Sequence, residues 1–355
     1  MKLRYNKKIL IMTVIFICFV VCLFSLIFYF NSTYVSFNMR ADNDSSFYGS
    51  SSDYGSHQDN YLSFHNGDLY AKNYEKDRIY TFTPKSFNSL SVSDNACRSG
   101  DKLFYLKDRE LFCEDIKSGE KISVDNNCRG FVFDNQTLVY TKDNYIYSKK
   151  INGLESQGVI KTENEIYYLQ ISNGSLYLTE RIYEGDGTQD KVLSKGKQYL
   201  FSKYDINGLT HIKSRYENFT NPIEYITVCG DTFYFYYRDT EAIYNVSLDD
   251  ETSLPPVRHA NVLDIASNNK KVYFVSEKTE SNIIRETVEC ETNGLWELDV
   301  KSGELRKVSE KCDFINILAT ENYVYCYRPK YYLPRGVANS WVKGFEIEQI
   351  AISGE

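Results

Sequence analysis

Tryptophan, methionine and histidine are scarce in this sequence, at two, three and four copies in 355 residues. The histidines are His57, His65, His211 and His259, and none stands in a His-Glu-x-x-His or comparable spacing, which removes that type of zinc site. Nine cysteines occur without one Cys-x-x-Cys pair, so a zinc-binding cysteine motif is missing too. No Gly-x-Ser-x-Gly elbow offers a serine nucleophile. No cofactor and no metal are therefore expected. Runs of Lys or Arg are also lacking, and the net charge is −7, a balance that repels nucleic acid. Helical periodicity is nearly absent outside the N-terminus.

What the sequence does have begins with a run from Ile9 to Phe30 that holds no charged residue. Its 22 residues would span roughly 33 Å as a helix, enough for a hydrocarbon core of about 30 Å. Lys2, Arg4, Lys7 and Lys8 precede it, and the next basic residue is Arg40. That asymmetry predicts a cytoplasmic tail (1–8), a single transmembrane signal anchor (9–30) and an extracytoplasmic remainder. A cleaved signal peptide is the rival, but its apolar core is shorter and ends at small residues, whereas this run ends in Ile27, Phe28, Tyr29 and Phe30. With four positive charges ahead of the run and none in it, the chain beyond Phe30 carries −11.

Residues 31–59 read as a linker. From 41 to 60 they are rich in Ser, Asp, Gly and Asn with no Lys or Arg, the composition of a flexible tether. From about residue 60 the chain repeats. One element is an alternating strand, seen as LFYLKD (103–108), LVYTKD (138–143), FYFYYRD (233–239) and VYFVSE (272–277), each after a tight turn such as Ser99-Gly100 or Asn173-Gly174. A second hairpin follows, as in LFCEDIKSGEKISV (111–124) and LWELDVKSGELRKVS (295–309). Asn and Gly accept the positive φ that two-residue hairpins need. Two hairpins make a four-stranded unit, and seven units of about 42 residues fill 60–355, within the period of propeller blades. The expected fold is all-β, a seven-bladed β-propeller with four-stranded blades behind one transmembrane helix.

The seventh unit stops one strand early, at GFEIEQIAISGE (344–355). An open ring would expose a strand edge, so an earlier segment is expected to close it, with Thr33–Met39 (TYVSFNM) the best alternating candidate. Cys97 and Cys128 fall at matching positions of adjacent repeats, which leaves one disulfide open between them.

LVYTKD and its relatives resemble, in degenerate form, the YWTD motif of low-density-lipoprotein-receptor propellers. The chain is similar to bacterial membrane-anchored propellers of unassigned function related to that family. The resemblance covers 60–355 and implies a binding or scaffold role with no catalytic residues to carry over.

Three units are enlarged between their second and third strands: Arg181–Gln198, Lys278–Asn293 and Arg328–Lys343. Loops at that position leave a propeller on one face. The third, RPKYYLPRGVANSWVK, brings Arg328, Tyr331, Tyr332, Arg335 and Trp341 together, and Tyr, Trp and Arg are enriched at interface hot spots. Two roles are open to it, recognition of a partner or plugging of the channel mouth. The expected partner is a protein or envelope glycan bound at the face of blades four, six and seven. The alternative is an extracytoplasmic hydrolase or lyase with acids at the channel mouth. Glu184–Asp190 resembles half of a calcium loop but lacks the full spacing, and reads as an acidic turn.

Overall fold

The computed structural model describes residues 17, 19–21, 34–37, 39, 47–48, 51–53, 62–65, 68–72, 78–82, 87–91, 96–134, 136–182, 197–249, 254–259, 261–277, 279–280, 286–287, 291–331 and 342–352. Among them, seven four-stranded blades stand in chain order at 62–91, 96–125, 128–161, 165–219, 224–258, 262–309 and 316–351, the last completed by Tyr34–Ser36, and the sheets of the first and fourth each gain a fifth strand from the 47–53 segment. The chain is a seven-bladed β-propeller. Within each blade the strands run in sequence from the inner edge to the outer, every pair antiparallel except the last one in blade seven.

The strand positions explain the composition. Inner and second strands are covered on both faces by neighbouring blades, so Thr232–Tyr237 reads TFYFYY and buries five of its six residues. Outer strands meet water: Lys121–Asp125 shows eeeBi, and Thr210–Phe219 has no fully buried residue. The turn Asn173-Gly174 takes φ of +49° and +69°, values that Asn and Gly tolerate, and closes the Ser172–Ser175 hairpin.

Among the described residues the core is a ring of seven apolar clusters, one at each blade junction. Each buried Tyr or Phe contributes about 1.5–3 kcal/mol by leaving water. Polar ties cross the inner strands as well. Asp264 of blade six is buried and accepts from Ile317 N and Asn316 Nδ2 of blade seven at 2.7 and 2.9 Å. Gln170 Oε1 of blade four accepts from Val228 N of blade five at 3.0 Å.

Ring closure comes from the N-terminal side. Tyr34–Ser36 pairs with Val342–Ala351 in parallel, Tyr34 opposite Gly344 and Ser36 opposite Glu346. Phe37 then packs edge-on to Phe82 of blade one and Tyr325 of blade seven, at 5.1 and 6.3 Å, and Met39 is buried in the same cluster.

Two expectations are corrected. Of the 41–60 stretch, expected to be a flexible tether, the described residues 47–48 and 51–53 are paired in strands. Phe47–Tyr48 pairs with Leu62–His65, the inner strand of blade one, and Ser51–Asp53 pairs with Glu165–Ser172, the inner strand of blade four. Both lie on the channel side, because each inner strand has its own blade on the other edge. Backbone groups supply that pairing, so a Ser-Ser-Asp sequence serves without apolar side chains. The second correction concerns Cys128, a free buried thiol within the junction of blades two and three. Cys128 is free, so the Cys97–Cys128 bridge does not form: Cys97, second in its strand, stands opposite Phe104 two residues before the turn, and Cys128, first in its strand, stands opposite Lys142.

Of the run from 9 to 30, Ile17, Phe19, Val20 and Val21 are helical and the rest lies outside the described residues. No helix among the described residues is long and apolar enough to cross a membrane.

Candidate functional site

All blades share one strand order, so connections between second and third strands leave from one face, together with the connections from one blade to the next. On this face the blades differ in height. In blades two, three and five the second strand has six residues: Lys102–Lys107, Thr137–Lys142 and Thr232–Tyr237. In blade four, Ser175–Ile182 and Lys197–Asp205 continue as a ribbon with Ile182 opposite Gln198. Blade seven extends likewise, through Tyr323–Tyr331 and Val342–Ala351. Blade six adds a small hairpin of its own, Thr279–Glu280 against Glu286–Thr287.

Of the five residues singled out in the sequence, Arg328 and Tyr331 lie on the second strand of blade seven, and Tyr332, Arg335 and Trp341 lie outside the described residues, as does 184–190. Arg328 is engaged within the protein. Its Nη1 donates to both Asp313 oxygens at 2.9 and 2.7 Å, and its Nε donates to Glu346 at 3.3 Å. Lys330 also pairs with Glu346. Burial pushes the Glu346 carboxyl up, but hydrogen bonds from Lys330 and Arg328 outweigh it and hold the group below the usual carboxylate range. This cluster braces the base of the blade-seven ribbon, and it leaves Arg328 little capacity to bind an anion.

A cleft of about 190 Å³ opens on the same face between blades three and four, with Arg129, Asp143, Asn144, Asn164 and Glu165 among its lining residues. It is smaller than the roughly 300–1,000 Å³ of drug-sized pockets, and has room for one side chain or sugar-sized group. Glu165 is held by Arg181, whose Nε donates at 2.8 Å. Behind it lies Glu180, a buried residue 4% exposed. Burial pushes its carboxyl above the usual range, opposed by side-chain and backbone hydrogen bonds with Asn164. Sequence reasoning missed this cleft. Nothing in the sequence shows that Asp143-Asn144 and Thr162–Asn164, from connections of adjacent blades, meet.

Burial raises the thiols of Cys128 and Cys229 to about 12, which disfavours the thiolate at both. At the channel, the inner edges of blades one and four are occupied by the chain's own residues 47–48 and 51–53.

No family model matches the chain, and no curated protein matches it. Solved structures with a similar shape include Hsv2p of Kluyveromyces lactis, at 12% identity and TM-score 0.46, covering 79% of this chain and 93% of that one. BamB from Moraxella catarrhalis is similar at 9% identity and TM-score 0.42, covering 79% and 96%. A chain of the mitotic checkpoint complex is similar at 11% identity and TM-score 0.49, covering 89% and 98%. The architecture itself is carried by the strand pairing, and in it this chain is an all-β propeller.

Proposed function

We propose that this chain is a membrane-anchored, extracytoplasmic binding or scaffold propeller. It recognises a protein or envelope glycan through the face where blades four, six and seven are extended. The observation that carries this reading is the unequal height of the blades on that face. A rigid ring that raises ribbons on one side builds a shaped surface, and binding residues gather on such projections. The uncharged run from Ile9 to Phe30 and the basic residues before it support the anchor. The degenerate YWTD-like strands fit a binding role in the same way.

The alternative, an extracytoplasmic hydrolase or lyase, would draw on Glu180, the buried acid beside the cleft. Two-carboxylate chemistry requires a second acid at about 5–10 Å across a bound substrate. The channel strands at 47–48 and 51–53 favour the binding reading, because they fill inner edges that a channel-mouth active site would use.

The test is a pull-down from native membranes with the full chain, beside a variant in which Tyr331, Tyr332 and Trp341 are each changed to Ala. Loss of a specific partner with an unchanged melting profile is the expected result. Identical partners for both proteins would move recognition away from blade seven.

A further inference from the structure

The sense of one strand pair fixes which face of the ring looks at the membrane. The closing strand Tyr34–Ser36 runs parallel to Val342–Ala351, with Tyr34 opposite Gly344 near the start of that strand. Gly344 stands at the end of blade seven where the second-to-third connection lies. The chain preceding Tyr34 therefore leaves the propeller on the face that carries the extended ribbons of blades four, six and seven. In the other six blades the outer strand is antiparallel to the third. An antiparallel closing strand would have sent the N-terminus out on the opposite face.

The distance is as informative as the direction. Only Asn31, Ser32 and Thr33 separate the apolar run ending at Phe30 from Tyr34, and three residues reach at most about 10 Å. A tether of some thirty residues would leave the propeller free to turn. Three residues keep the blade-seven rim beside the membrane and allow the ribbon face, not the opposite one, to meet it.

We infer that the face bearing the extended ribbons is turned toward the bilayer, with its blade-seven rim, where Tyr34 stands, held within about 10 Å of the end of the apolar run. This rests on the reading of 9–30 as an anchor and narrows the partner of that face to one seated in the head-group layer. Attraction is not what holds it there. The chain beyond Phe30 carries −11, which an anionic surface repels at the Debye length of about 10 Å. The short covalent connection holds the face in place, so the orientation persists on uncharged lipid.

Blade six supplies matched reporters. Its outer strand, Leu305–Ser309, ends beside exposed Glu310 on the ribbon face, and exposed Ser302 lies in the turn at its other end. Five residues of strand separate the two levels by roughly 17 Å. The full chain is reconstituted into phosphatidylcholine vesicles with a fluorescent non-natural amino acid at position 310 or 302, and energy transfer to a head-group acceptor dye is measured. Transfer from 310 is expected to exceed transfer from 302 several-fold, and a 20-residue Gly/Ser insertion between Ser32 and Thr33 should bring the two together. Vesicle-bound protein with equal or greater transfer from 302 overturns the orientation while leaving the anchor intact. A chain that does not float with vesicles overturns the anchor reading and the orientation with it.

Discussion

Two buried glutamates respond to pH in opposite directions, and their partners decide the sign. Glu297 of blade six is 5% exposed and is met by Lys271, Arg306 and the Tyr273 hydroxyl. Burial pushes its carboxyl up, but the hydrogen bonds from Arg306 and Lys271 outweigh burial and leave it lowered. Its contribution is present above the ordinary carboxylate range and is lost as pH falls through the folded value. Glu180 of blade four has no cation among the groups that shift it, and burial leaves it raised. Its folded form takes up a proton more readily than the unfolded chain, so its own contribution is full below about pH 4 and is lost as pH rises through the folded value. Glu180→Gln is therefore expected to raise the urea midpoint at pH 7 and to match the parent below about pH 4, measured by tyrosine fluorescence across that pH range. A lowered midpoint at pH 7 would show that Glu180 works as a needed anion.

Among elements, the closing strand carries the most consequence for its size. Tyr34–Ser36 is three residues long, and the following Phe37 locks it down by edge-on contacts with one ring from each side of the seam between blades seven and one. Phe37→Ala should cost about 2 kcal/mol, roughly half of what a fully buried Phe loses, because the ring is only partly buried. Chemical denaturation of residues 31–355 checks this, and the variant should also aggregate faster as the blade-seven edge opens. The truncated seventh repeat made the missing strand legible in the sequence. Its direction was not, because alternation of apolar and polar residues reads the same both ways along a strand.

For the whole molecule, the ring is closed around a segment of its own chain. Phe47–Tyr48 and Ser51–Asp53 run from the inner strand of blade one to that of blade four. Hydrogen exchange followed by mass spectrometry should find peptides covering 51–53 protected, at rates far below those of an unstructured Ser-rich chain. Exchange at the unstructured rate would remove the channel strand and return the stretch to a tether. Protection here also bears on the enzyme alternative, since a substrate entering the channel would have to displace this segment.

The seven blades were legible in the sequence because each one repeats a local instruction. Two hairpins per period, turns such as Asn173-Gly174 and apolar alternation are all decided by neighbours in the chain. The weak apolar content of 41–60 misled for the same reason, since composition reports what side chains can bury and says nothing of unpaired backbone edges waiting at the channel. The Cys97–Cys128 bridge is not formed because repeat alignment ignores register, which sets Cys97 opposite Phe104 near its turn and Cys128 opposite Lys142 at the start of a longer strand. Of the candidate residues, Arg328 turned out to be held by Asp313 and Glu346, partners that only folding brings near it. The sequence by itself determined the repeat, the blade count and the uncharged N-terminal run, because these depend on local pattern. Only the tertiary structure decided where the Ser-rich segment goes, which blades meet at the cleft and on which face the N-terminus leaves. Those depend on the sense and register of strands far apart in the chain.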